Sequence, residues 1–131
     1  MHELSLSYAT VESVLESVAS LNASRVISLT LVAGELSGVS IEAFRFSFPI
    51  AAAGTILEDT NLIINSEPVR IFCSACDQTS ALASIQNFRC PLCGLASGDI
   101  RSGEDFIIQS IEIETAETVT GKVPQNEHAH R

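Results

Sequence analysis

Leu4, Tyr8, Val11, Leu15 and Val18 recur at steps of four, three, four and three, which predicts an amphipathic helix over residues 4–21 with Glu12 and Glu16 on its outer side. Ser5, Ser7, Ser13, Ser17 and Ser20 are mediocre helix formers, so packing of the apolar stripe on a sheet must supply most of its stability; Asn22 marks its end. Residues 25–33 then alternate, with Ile27, Leu29, Leu31 and Ala33 on one side and Ser28 and Thr30 on the other, the pattern of a half-buried strand that Gly34 breaks. Ser40 can cap a second helix in which Ile41, Phe44, Phe48 and Ala52 share a face before Gly54 closes it. Pro49 inside that helix removes a hydrogen bond at a cost of about 3 kcal/mol unless the backbone adapts, so a kink is expected there. Residues 62–72 read as a second strand, with Pro68 as a bulge or edge break. Residues 106–114 read as a third, with Ile107, Ile111 and Ile113 on one side. The pattern predicts an α+β fold of two helices packed on a three-stranded sheet.

A chain of 131 residues with 46% hydrophobic and 18% charged side chains can bury a core and is no disordered polyelectrolyte. The longest uncharged run, between Arg45 and Glu58, is far shorter than the ~20 apolar residues of a membrane span. A net charge of -9 repels phosphate, which argues against nucleic acid as a partner. The opening Met1-His2-Glu3 has neither a basic segment nor an apolar signal core, so a cytoplasmic protein is expected. Histidines occur only at 2, 128 and 130, without a Ser/His/Asp set, and no phosphate-binding Gly-Lys-Ser/Thr loop is present; an enzyme is not expected. Residues 115–131 lack periodicity and read as a flexible C-terminal tail.

All four cysteines fall in two pairs, Cys73-Ser74-Ala75-Cys76 and Cys90-Pro91-Leu92-Cys93, thirteen residues apart. Two residues between paired cysteines let one turn aim both sulfurs at a single ion, and two such turns complete a tetrahedral four-thiolate Zn2+ site with no position left for water. Gly94 after the second pair, and Asp77 after the first, are suited to the backbone turn each knuckle needs. The zinc then staples a lobe, residues 70–105, inserted before the last strand. The rival use of Cys-x-x-Cys, a redox dithiol, lacks its usual βαβ context here.

Met1-His2-Glu3 is the second constellation. A free α-amine, the next amide nitrogen and the His2 imidazole can close adjacent chelate rings, a nitrogen-rich donor set suited to Ni2+ or Cu2+. Glu3 can add an oxygen donor or complement the dipole of the helix that follows. His128 and His130 form a His-Ala-His that can bind metal or stay solvated.

Met-His-Glu-Leu-Ser at residues 1–5, Gly34-Glu35-Leu36-Ser37-Gly38-Val39, the two cysteine pairs and Ser110-Ile111-Glu112-Ile113-Glu114 together resemble the HypA/HybF family of hydrogenase nickel-incorporation proteins over residues 1 to about 114. The resemblance implies a nickel metallochaperone, monomer or homodimer, that delivers Ni2+ to the large subunit of [NiFe]-hydrogenase alongside a HypB-type GTPase. It maps nickel onto Met1 through its amine, His2 and Glu3, and structural zinc onto Cys73, Cys76, Cys90 and Cys93. The implied organisation is a nickel-binding α+β domain of residues 1–69 plus 106–114, a zinc-binding domain of residues 70–105, and the tail. Some relatives complete the nickel sphere with a histidine in the zinc lobe or a carboxylate before helix 2; this chain has no such histidine and Ser40 at the second place. Glu35 is a candidate outer ligand or a loop-ordering residue. The alternative function is a zinc-ribbon protein interaction module without nickel delivery.

Overall fold

A computed structural model describes residues 3–115 and the backbone of residues 120–124. The order is α1 (Glu3–Val18), β1 (Ala23–Gly34), α2 (Ile41–Ala52), β2 (Asn61–Glu67), β3 (Arg70–Cys73), β4 (Gln78–Ala81), β5 (Ile100–Ser102), β6 (Phe106–Thr115) and β7 (Thr120–Pro124). Two sheets result: β2-β1-β6-β7, which carries the helices, and β4-β3-β5 in the cysteine lobe. No helix of the described residues is long and apolar enough to cross a membrane.

The α+β architecture with an inserted cysteine lobe is as expected, with two differences in strand count. The run at 62–72 is two strands in two sheets: β2 pairs parallel with β1, then Pro68, which has no N–H to give a ladder, separates it from β3. The main sheet has a fourth strand, because Thr120–Pro124 of the supposed tail pairs antiparallel with β6 from Thr120 opposite Glu114 to Pro124 opposite Ser110. An edge strand of five residues offers too short a run for apolar alternation to show, so periodicity passes over it.

The strict alternation expected of β1 and β6 is broken twice in β1, first at Ser24 where Ala23 pairs with Thr115 and Arg25 with Glu114, and once in β6. Val26 pairs with Ile113 and Ser28 with Glu112, leaving Ile27 extra; Thr30 pairs with Ser110 and Leu31 with Ile108, leaving Gln109 extra. A bulge flips the side on which the following residues point. The inward set is therefore Val26, Leu29, Leu31 and Ala33 opposite Ile113, Ile111, Ile108 and Phe106, so Ile27 and Ile107 leave the predicted face and Val26 and Ile108 replace them. Val26 N–H, beside the bulge at Ile27, donates to Ile56 O at 2.8 Å and ties in the connection from α2 to β2.

Helix α1 ends at Val18, three residues earlier than expected, and Asn22 takes the left-handed conformation at φ 55° before β1. Its buried face is also rotated: Leu6, Ser7, Thr10, Val11, Val14 and Val18 point inward while Leu4 and Tyr8 are exposed. Hydroxyls make this possible. Thr10 Oγ1 donates to Leu6 O at 2.8 Å, and Ser7 Oγ lies 2.7 Å from Ser47 Oγ of α2, so small satisfied polar side chains let the two helices approach closely. Helix α2 starts as predicted, with Ser40 Oγ accepting from Ala43 N–H at 3.2 Å. It runs through Pro49 to Ala52, and Phe44 packs edge-on against Phe106 of β6 with ring centroids 5.2 Å apart.

Candidate metal centres

Cys73 ends β3, Asp77 turns the chain at φ 53° and β4 returns from Gln78. On the opposite side, Arg89 and Ala96 form a bridge around a knuckle in which Gly94 N–H donates to Cys90 O and Cys90 N–H to Leu95 O, each at 2.8 Å. Gly94 stands at φ +83°, where a side chain is disfavoured, as the position after the second cysteine pair requires. Leu92 N–H points at Cys90 Sγ from 3.4 Å.

These turns bring all four sulfurs within 4.8 Å of one another. Cys73 Sγ and Cys93 Sγ are 3.6 Å apart, Cys76 Sγ and Cys90 Sγ 3.9 Å. Four thiolates bonded to Zn2+ at about 2.3 Å sit at tetrahedron corners about 3.8 Å apart, close to the two shorter separations here, so the cage suits zinc. Its protonation behaviour points the same way. Hydrogen bonding to Cys93 pushes Cys76 up to about 12, while the backbone N–H groups of Leu92 and Cys93 pull Cys90 down to about 7. A cluster that resists four simultaneous negative charges needs a cation to hold them, and Zn2+ would supply it. Among the described residues this is the one group of three or more metal-ligating side chains.

The lobe would need that ion because it has almost no core: Ile71, Cys73 and Cys90 are its buried apolar side chains, joined at its entry by Val69, all outside the main cluster. It is moored to the rest of the molecule by a joint that periodicity does not reveal. Gly34 N–H donates to Asp105 O at 2.7 Å, Leu36 N–H to Gly103 O at 2.7 Å, and Glu35 N–H to Glu67 O at 3.0 Å. Glu35 Oε1 accepts from Val69 N–H at 3.2 Å, which gives Glu35 the loop-ordering role. A Cβ on Gly34 would lie 2.2 Å from Gly103 O, so backbone meets backbone where the lobe enters and leaves. The signal in the sequence was Gly34-Glu35 itself: a glycine closing a strand beside a lone acid.

Met1 and His2 lie outside the described residues, as do His128 and His130. Glu3 is placed: its Oε2 accepts from Ser40 N–H at 3.2 Å, and its carbonyl lies 3.3 Å from Ser47 Oγ. The starts of α1 and α2 are thus joined. Each carries an acid in its first turn, Glu3 and Glu42, opposing the positive end of the helix dipole. The structure brings the four cysteines together, holds Glu3 beside Ser40, and puts Glu35 at the lobe joint.

Fold and cage define a small α+β protein with a four-cysteine lobe set into it, a cage that fits structural zinc and whose four thiolates would leave such an ion no open coordination position. The family model described as "Hydrogenase/urease nickel incorporation, metallochaperone, hypA" matches residues 1–113, and the chain belongs to that family. Similar proteins include the hydrogenase maturation factor HypA of Roseiflexus sp. (strain RS-1), 40% identical over 114 residues covering 87% of this chain and 93% of the relative, and that of Chloroflexus aggregans, 38% identical over 112 residues covering 86% and 98%. Among solved structures, the Ni metallochaperone HypA from Helicobacter pylori superposes with a TM-score of 0.63 at 21% identity over 88% of this chain and 99% of that one, which establishes the shared fold.

Proposed function

We propose that this chain is a carrier of Ni2+ for hydrogenase maturation, binding it through the Met1 amine, the His2 imidazole and Glu3, and that it performs no catalysis of its own. The observation that carries the reading is the family match, which runs from residue 1 through both cysteine pairs. Supporting it, Glu3 is held where two helices begin, so a chelate formed on the preceding dipeptide would adjoin ordered structure.

In this reading the metals have separate tasks. Zn2+ on four thiolates is architectural, and nickel is cargo on nitrogen donors that protonation can displace. The protein would work in the cytoplasm, where thiols stay reduced, as monomer or homodimer. It would hand nickel to the large subunit of a [NiFe]-hydrogenase with a HypB-type GTPase supplying any nucleotide hydrolysis.

The test is equilibrium dialysis of the untagged protein against Ni2+. One nickel per chain is expected, lost in His2→Ala with fold and zinc content intact; unchanged nickel uptake in that variant sinks the proposal. An N-terminal extension, which turns the amine into an amide, should weaken binding in the same way.

A further inference from the structure

Four large apolar side chains of the helix layer face water: Phe46 is 80% exposed, and Leu4, Tyr8 and Ile50 are between 43% and 53% exposed. None of them belongs to the buried core or to the sulfur cage. Single exposed apolar residues are ordinary, whereas a contiguous group marks a surface that another molecule covers.

Helix geometry makes the four contiguous. Glu3 Oε2 meets Ser40 N–H and Ser7 Oγ meets Ser47 Oγ, so contacts advance together along both helices and α1 and α2 run parallel. At about 100° per residue, Leu4 and Tyr8 stand roughly 60° and 100° to one side of Ser7, and Ile50 and Phe46 stand at about the same angles to the opposite side of Ser47. On two parallel helices those opposite rotations lead to the same flank of the seam. Thr10 and Leu6, rotated the other way on α1, and Phe44 and Phe48 on α2 are buried, so the four exposed side chains line the outer flank.

Both apolar rows continue into acids. Glu12 and Glu16 follow Leu4 and Tyr8 at four-residue steps on α1, and Glu42 precedes Phe46 and Ile50 by the same step on α2; all three are exposed. With Ser7 level with Ser47, Glu42 lies at one end of the patch and Glu12 at the other, roughly 15 Å apart along the seam. Helix α1 has no Lys or Arg, and the one base of α2, Arg45, donates from Nη1 to Leu62 O on the β2 side.

We infer that the outer seam between α1 and α2 docks an amphipathic helix of a partner protein whose apolar stripe carries Lys or Arg at both ends. Such a helix lies in the furrow as a third member of the layer and buries an i, i+4 stripe against Leu4, Phe46, Tyr8 and Ile50. Acids at both ends of the furrow select a base at each end of the stripe. They also oppose a second copy of this chain, because two-fold pairing along the seam brings Glu42 onto Glu42 or onto Glu12. Docking needs no nickel, so it stands or falls apart from the carrier reading.

The experiment uses two labelled synthetic 14-residue peptides with the same Leu stripe, one flanked by Lys and one by Glu, titrated with the untagged full chain by fluorescence anisotropy. The Lys peptide is expected to bind at least about tenfold more tightly than the Glu peptide. Phe46→Gln/Ile50→Gln, which keeps every charge, should weaken that binding at least about tenfold, and Glu12→Gln/Glu42→Gln should weaken it less while flattening its salt dependence. All four substituted side chains are exposed, and unchanged far-UV circular dichroism and zinc content check that the fold is intact. Equal binding of the Lys peptide by the native chain and by Phe46→Gln/Ile50→Gln overturns the inference, since general attraction to a net charge of -9 then suffices. Absence of any difference between the two peptides, including binding of neither, overturns it as well. So does a native chain that sediments as a dimer at micromolar concentration while Phe46→Gln/Ile50→Gln sediments as a monomer, because the seam is then covered by a second copy.

Discussion

The α+β body and the cysteine lobe solve the same problem by opposite means. In the body, seventeen buried apolar side chains, sixteen from both helices, β1 and β6 and Leu57 from the α2–β2 connection, form one cluster that includes the Phe44–Phe106 ring contact. The lobe, with Val69 at its entry, buries four apolar side chains, two of which are cysteines of the sulfur cage. Burial at roughly 25 cal/mol per Å2 can hold the first together; the second depends on metal-ligand bonds. The difference teaches where a perturbation will be felt: the body answers to volume, the lobe to metal.

Zinc removal is the strongest way to test that contrast. Structural zinc contributes on the order of 10 kcal/mol in small domains, so chelation or Cys90→Ser should abolish the fixed structure of β3, β4 and β5. Amide spectra should show those signals collapse while α1, β1 and β6 keep theirs; parallel loss in the body would refute the division. Next, Phe44→Ala should cost about 3–5 kcal/mol in urea denaturation of the body and leave zinc content at one per chain. Gly34→Ala, whose new methyl would collide with Gly103 O, should cost up to about 3 kcal/mol and disturb amides on both sides of the joint, which neither of the other changes should do.

The smallest effect is expected at Asp99. Hydrogen bonding to Arg101 holds its carboxyl below the usual carboxylate range, so the pair's contribution is present above that range and is lost as pH falls through the lowered value. Both groups are exposed, and Asp99→Asn should shift the urea midpoint barely at pH 7 and not at all near pH 2. A large shift at pH 7 would mean that surface charge, and not metal, holds the lobe.

Features set by neighbours in sequence were readable in advance. Ser40 before an apolar stripe predicted the α2 cap, paired cysteines predicted the sulfur cage, and Asp77 and Gly94 predicted its turns. What escaped depends on partners far along the chain. The bulges at Ile27 and Gln109 exist only in the pairing of β1 with β6, and they decide which isoleucines face inward. The rotation of α1 depends on Ser47, forty residues from Ser7, turning buried hydroxyls from a cost into a contact. Strand β7 and the joint at Gly34 are backbone events with no apolar signature. Met1 and His2 lie outside the described residues, so the chelate proposed for them follows from residue chemistry and the family resemblance.

The lobe departs and returns through neighbouring positions: Ser102 Oγ donates to Pro68 O at 2.9 Å, and Arg70 pairs with Ser102 across the ladder. A segment whose two ends lie one hydrogen bond apart is a removable cassette. Replacing residues 69–102 by a short turn should spare the register of β2, β1 and β6, and a foreign module with similarly close termini could be grafted in its place.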